Sequence, residues 1–148
     1  MTLFNARSNK IYISSNGLLT LNYPSDKYNY QKFPYRAWQW QSQPLPDQVL
    51  APFWGDLYIY KNTPQGIYYE ETGSAPNRKL EVEWYVSRYS SPKQYYHFSL
   101  VVEEAKPNFA TFKYFEALDK GGKCTIGVQG PASKCPTTNR GFLLIYCV

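Results

Sequence analysis

Ala51-Pro52-Phe53-Trp54-Gly55-Asp56-Leu57-Tyr58, followed eight residues later by Gly66-Ile67-Tyr68-Tyr69-Glu70-Glu71-Thr72-Gly73, is the stretch whose reading decides the fold. Pro52 has no N–H to give a ladder and Gly55 no side chain to pack, so the pair interrupts regular pairing around Phe53 and Trp54 and marks a sheet corner. Leu57-Tyr58-Ile59-Tyr60 then reads as a strand and Gly66 opens another. With Lys61-Asn62-Thr63-Pro64-Gln65 as the loop, Leu57 to Thr72 reads as a hairpin. Asp56 sits where an aspartate accepts backbone N–H bonds in a turn. The competing reading makes it a calcium ligand with Asn16, Asn62 or carbonyl oxygens, but no Asp-rich loop accompanies it.

Working outward, Ile11-Tyr12-Ile13-Ser14 and Leu18-Leu19-Thr20-Leu21 flank Ser15-Asn16-Gly17, and Asn-Gly between apolar runs signals a hairpin because both residues tolerate positive φ. On the other side, Leu80, Val82, Trp84 and Val86 alternate with Glu81, Glu83, Tyr85 and Ser87, which gives one strand a clear inner face. Tyr96, Phe98, Leu100 and Val102 form the matching apolar face of the next strand, and Phe109 to Phe115 supplies a third, so three long antiparallel strands form a meander. Thr125-Ile126-Gly127-Val128-Gln129 is a further strand, and Gly141 to Val148 is a continuous apolar run suited to a strand buried on both faces. The helix-tolerant segment Glu116-Ala117-Leu118-Asp119-Lys120 is too short to stand alone.

Composition agrees: 18% of the residues are aromatic, with 15 Tyr and 4 Trp, and such residues favour sheets. At 148 residues the chain fits one domain over residues 1–148, because a chain of this length buries roughly 70% of its unfolded surface in one core. The expected fold is all-β, a two-sheet antiparallel β-sandwich with a long aromatic-rich loop, and Trp84 and Trp54 in its core.

The order of these segments also carries a resemblance. Asn16-Gly17 after Ile-Tyr-Ile-Ser, Ala51-Pro52-Phe53-Trp54 with Asp56, Gly66-Ile67-Tyr68-Tyr69 and the Leu80 to Trp84 strand make the chain similar to the nidogen-like (NIDO) extracellular domain and related modules of secreted microbial adhesins and proteases. Ala75-Pro76-Asn77-Arg78 and Thr125 to Gln129 resemble the microbial version in particular. The resemblance runs from Phe4 to Gln129. It implies an all-β module of adhesive or matrix-associated proteins, secreted or at the cell surface, and it brings no catalytic site.

The net charge of +5 comes from 16 basic and 11 acidic residues scattered along the chain. No block of like charge forms the footprint of a nucleic-acid binder, so nucleic acid is not an expected partner. No stretch approaches the roughly 18 apolar residues that span a membrane, and Met1 to Arg7 lacks the apolar run of a signal peptide, so membrane insertion is not expected. If the protein is secreted, as the resemblance implies, the sequence reads as a mature form or an excised domain with an added Met. The cysteines, Cys124, Cys135 and Cys147, all lie in the last quarter. Cys135 is placed to reach either of the others. A Cys124–Cys135 bridge closing a short loop is the favoured pairing, and three reduced buried thiols are the other reading.

Catalytic signals are sparse. His97 falls on the strand face opposite Phe98 and Leu100, with no Ser or Cys tied to it by a motif, and reads as a sheet-face histidine rather than a triad member. Glu81 and Glu83 lie roughly 7 Å apart on one strand face, within the separations glycosidases use, but alternation on an exposed face explains them without chemistry. No cofactor, metal site or catalytic residue is expected.

The functional content lies in the loop from Tyr23 to Gln48, where no periodicity survives and aromatics are interleaved with prolines and glutamines. Long loops without their own structure are usually functional in compact domains. Tyr35, Trp38 and Trp40 offer flat apolar faces with polar tips, and Gln39 and Gln41 offer amide hydrogen bonds, as stacking on sugar rings or anchoring a protein requires. The competing reading folds these aromatics back as a lid on the core. The expectation is a non-enzymatic extracellular adhesion or recognition module that binds a glycan or matrix protein through aromatic loops. The alternative is a secreted protein–protein interaction module with no glycan ligand.

Overall fold

A computed structural model describes residues 2–3, 6–21, 23–33, 45–46 and 48–130. These form strands and no helix: β1 (Thr2–Leu3), β2 (Ala6–Arg7), β3 (Ile11–Ser14), β4 (Leu18–Leu21), β5 (Val49–Trp54), β6 (Leu57–Tyr58), β7 (Gly66–Thr72), β8 (Lys79–Arg88), β9 (Ser91–Glu103), β10 (Thr111–Ala117) and β11 (Thr125–Gln129). A four-stranded antiparallel sheet has the order β11-β5-β4-β3, and a five-stranded antiparallel sheet has β10-β9-β8 with β6 and β7 both on the far edge of β8. The two sheets make a β-sandwich, with β1 and β2 as a small separate pair.

The core between the sheets follows the alternation of the sequence. Val82, Trp84 and Val86 from β8, and Tyr96, Phe98 and Leu100 from β9, are fully buried against Leu19, Leu21, Leu50 and Phe53 of the other sheet. The Trp84 ring stacks on Phe98 with centroids 5.2 Å apart, and its Nε1 donates to the Ser14 carbonyl at 2.9 Å, so this indole ties β8 to the first hairpin. The meander β8-β9-β10 is present, but its last strand begins at Thr111, and Phe109 is exposed in the preceding turn.

Trp54 is fully buried, but not in that core. Thr125 of β11 pairs with Trp54 and Gly127 with Ala51, so β5 carries an extra residue in a bulge around Pro52 and Phe53. The bulge reverses the side-chain phase. Phe53 therefore points between the sheets, whereas Trp54 joins Leu18, Leu45, Val49 and Ala51 in a second cluster on the other face of the four-stranded sheet. Segment 23–33 covers this outer cluster: Phe33 stacks on Trp54 at 5.8 Å, and Trp54 Nε1 donates to the Lys27 carbonyl at 2.9 Å.

The hairpin expected from Leu57 to Thr72 does not form. β6 pairs with β8 through Leu57↔Arg88 and Tyr58↔Ser87, and β7 pairs with the same strand from Gly66↔Tyr85 to Thr72↔Lys79. They are two pieces of one interrupted edge. The side chain of Gln65 fills the gap between them: its Oε1 accepts from the Tyr60 N–H at 2.9 Å and its Nε2 donates to Ser87 Oγ at 2.6 Å. Ser87 Oγ in turn donates to the Pro92 carbonyl, so a position outward by alternation is fully buried. The Gln65 amide thus supplies an acceptor and a donor where the chain leaves the sheet for seven residues, Ile59 to Gln65.

The corner at Gly55 is satisfied by Asn16 rather than by Asp56. The Asn16 carbonyl accepts from the Gly55 N–H at 3.2 Å, its Oδ1 accepts from the Leu57 N–H at 3.1 Å, and its Nδ2 donates to the Asp26 carbonyl at 2.9 Å. Of the Asn16-Gly17 pair, only Gly17 adopts positive φ (72°). A Cβ on Gly17 would lie 2.0 Å from the Phe53 carbonyl oxygen. Gly17→Ala is therefore expected to cost about 3 kcal/mol or more, combining left-handed strain with a backbone clash, and Trp84→Ala about 3–5 kcal/mol. Urea unfolding of each variant checks this, and a wild-type midpoint for Gly17→Ala would show that the turn can move away from β5.

Candidate functional site

With Val82, Trp84 and Val86 facing in, the outer face of the five-stranded sheet is built from the intervening residues. Register places Tyr85 beside His97, and Tyr68 and Ser99 on either side of Glu83. Four rings form a continuous row across β8, β9 and β10: Tyr95 and Tyr85 are stacked at 6.1 Å, Tyr85 and His97 meet edge-on at 5.4 Å, and His97 and Phe115 lie 4.5 Å apart. Phe115 is 55% exposed, at the point where the register shifts between Tyr114 and Glu116.

Next to Tyr95 in the chain lies a hollow. Ser87 pairs with Tyr95 while Arg88 pairs with Ser91, so residues 92–94 leave the ladder. Together with exposed Leu118, the segment from Ser91 to Gln94 lines a shallow cavity of about 440 Å³. Near the same end of the sheet, Tyr58 packs edge-on against Tyr60 and Tyr89 at 4.8 and 5.7 Å, with Tyr58 and Tyr89 exposed. Flat aromatic area of this kind offers faces on which ring-shaped or planar groups can stack.

The carboxylates beside the row are already engaged. Glu83 Oε1 lies 2.9 Å from His97 Nε2. Glu81 accepts from Lys113 Nζ at 2.7 Å and Ser99 Oγ at 2.9 Å on one oxygen, and from Lys79 Nζ at 3.0 Å on the other. Partial burial pushes the Glu81 carboxyl up, but the hydrogen bonds from Lys113, Lys79 and Ser99 outweigh it and hold the group down at about 2. An acid so stabilised as its anion has no proton to give near neutral pH. At the closed end of the core, burial and neighbouring Asp119 push the Tyr96 hydroxyl up to about 12, against the opposing pull of Arg88. Among the described residues that hydroxyl and Asp119 Oδ2 have no hydrogen-bond partner, although Arg88 Nη1 lies 3.9 Å from Asp119 Oδ2.

The residues singled out from sequence as ligand-binding, Tyr35, Trp38, Gln39, Trp40 and Gln41, lie outside the described residues. The described part of that loop is mixed, with Tyr23, Tyr28 and Tyr30 exposed and Phe33 packed on Trp54. Cys124 is a half-buried free thiol whose Sγ donates to the Gly121 carbonyl at 3.3 Å, and burial, with Asp119 adding, pushes it up to about 11. Cys135 and Cys147 lie outside the described residues. Among the described residues no group of three or more His, Cys, Asp or Glu is placed to hold a metal ion, and no helix is long and apolar enough to cross a membrane. Sequence reading missed the row of Tyr85, Tyr95 and Phe115. The signal was present, since these outward strand positions carry rings where a solvated sheet face carries polar side chains.

The hydrogen bonds that hold Glu81 ionised make it a stronger acid in the folded chain than in the unfolded one. Stability from a depressed carboxylate is complete above its ordinary value of 4.5 and is lost as pH falls toward about 2. Because the pair is partly solvated, Glu81→Gln is expected to cost only about 1 kcal/mol near neutral pH. The difference in melting temperature between the two proteins should close between about pH 5 and pH 2. A difference that stays constant across that range would show that the Lys79–Glu81–Lys113 network contributes nothing to folding.

No curated protein and no solved structure matches the chain. One family model does, described as NIDO related, and it matches residues 1–141. That span includes both sheets, the Gly55 corner and the aromatic row, in agreement with the segments that resemble nidogen-like domains, a typically extracellular class. The chain belongs to the NIDO-related family.

Proposed function

We propose that this domain is a non-catalytic extracellular recognition module that binds a glycan through exposed aromatic surface. The observation that carries the reading is the unbroken row Tyr95, Tyr85, His97 and Phe115 on the outer sheet face, with the hollow lined by Ser91 to Gln94 and Leu118 adjoining Tyr95 in the chain. Sugar rings present C–H faces that stack on such rings, while Lys93 and Gln94 in the hollow offer donors to hydroxyl or carboxylate oxygens. Tyr35, Trp38 and Trp40, with Gln39 and Gln41, belong to the same proposal as a second aromatic element. The family and its extracellular character support a binding role, and the engaged state of Glu81 and Glu83 supports a non-catalytic one.

A protein ligand is the second reading. It is favoured by the ion pairs Glu83–His97 and Glu81–Lys113, which border the row as a polar rim borders an interface. Glycan arrays and polysaccharide pull-down separate the two. On a glycan that binds, Tyr85→Ala and Phe115→Ala are each expected to lower affinity about tenfold, equivalent to about 1.4 kcal/mol. Phe115→Ala should leave stability within about 0.5 kcal/mol, because its ring is largely solvent-exposed. Trp38→Ala and Trp40→Ala are each expected to remove about 2 kcal/mol of binding. Wild-type affinity in all four folded variants would overturn the aromatic site, and binding to matrix protein but to no glycan would establish the second reading.

A further inference from the structure

The five-stranded sheet has one guarded edge and one open edge. β10 carries a bulge at Phe115 and an outward Lys113, both devices that discourage a further strand. β7 has neither. Its pairing with β8 runs unbroken from Gly66↔Tyr85 to Thr72↔Lys79, and it contains no lysine and no proline. Among the described residues no strand pairs with its other side. Residues 68–72 are exposed, Tyr69 by 75%, so a row of alternate N–H and C=O groups faces solvent along most of the strand.

The charged residues of β7 itself, Glu70 and Glu71, are both acidic. Glu70 stands directly opposite Glu81, an unfavourable cross-strand pair. Lys79 and Lys113 both serve Glu81, and among the described residues Glu70 has no ion-pair partner. Arg78 Nη1 comes within 3.8 Å of Glu71, but its Nε and Nη2 each donate to Glu104 at 2.9 Å. β7 is thus an acidic strip on a chain whose net charge is +5.

We propose that the free edge of β7 takes an extended polypeptide segment with two adjacent basic residues, added antiparallel as a further strand of the sheet. Backbone groups of the segment complete the ladder, its basic side chains lie opposite Glu70 and Glu71, and apolar side chains lie opposite Ile67 and Tyr69. A second copy of this chain fits less well, since pairing two β7 edges gathers four carboxylates with no cation from either strand. The site uses none of Tyr85, Tyr95 or Phe115, so it stands or falls separately from the glycan reading.

The test is a titration of the full chain, followed by amide NMR, with the capped peptide Thr-Lys-Lys-Val-Tyr-Val-Thr. The expected result is a Kd of about 0.1–1 mM, with shift changes along β7 and slowed hydrogen exchange of its outward amides. Glu70→Lys combined with Glu71→Lys should weaken binding about tenfold or more. The milder Glu70→Gln, at an exposed position, should weaken it less, and a peptide N-methylated at alternate residues should not bind. Absence of binding at millimolar peptide, equal binding to the double Lys variant, or shifts confined to other strands would each overturn the proposal. Concentration-dependent self-association that protects the β7 amides would also overturn it, in favour of a second copy.

Discussion

The docking of one turn against one corner holds this sandwich together. Asn16 presents three polar groups to three different partners, the Gly55 and Leu57 amides and the Asp26 carbonyl, while Gly17 lets the Phe53 carbonyl approach to a distance no side chain permits. Adjacent Ser14 accepts the Trp84 indole N–H. The first hairpin, the bend between the sheets, the outer covering segment and the centre of β8 therefore meet within four residues. A buried amide in this position must have every partner in place, because each unsatisfied group costs about 1–3 kcal/mol.

The β5 bulge sets what is left over for function. By turning Phe53 inward and Trp54 outward, it makes the four-stranded sheet apolar on both faces, and the outer one is roofed by segment 23–33. Of the two outward sheet faces, the five-stranded one carries exposed rings, and its edges differ in how well they resist a further strand. Binding surface in this fold is therefore a product of which sheet is covered.

Much of the framework was legible in the residues themselves. The alternation from Leu80 to Val86 and from Tyr96 to Val102 fixed the inner faces of β8 and β9, and Asn16-Gly17 fixed the first turn, because period and turn chemistry are local properties. What was not legible depended on distant partners. The false hairpin at Leu57 to Thr72 had correct turn residues, but pairing was decided by the Gln65 contact with Ser87, 22 positions away. Trp54 read as core because no local rule announces a phase reversal. Asp56, a typical turn acceptor, was displaced by Asn16 from across the fold. For the aromatic row, alternation places Tyr85, His97 and Phe115 outward, but which rings meet was set by the register between distant strands.

The roof over the four-stranded sheet is a thin one. Among the contacts that fasten segment 23–33 to the sandwich are the bonds Leu21 and Thr20 to Tyr23, Asn16 to Asp26, Trp54 to Lys27 and Thr125 to Gln31, and the Phe33 stack on Trp54. Lifting it would break these contacts while leaving both ladders and the Trp84 core intact, as expected of a unit that opens below global unfolding. The opened form would display Leu18, Val49, Ala51 and Trp54 as a flat apolar sheet face, the kind of surface on which chains associate irreversibly. Storage lifetime in solution would then be governed by how often this cover opens, at temperatures well below the melting of the sandwich.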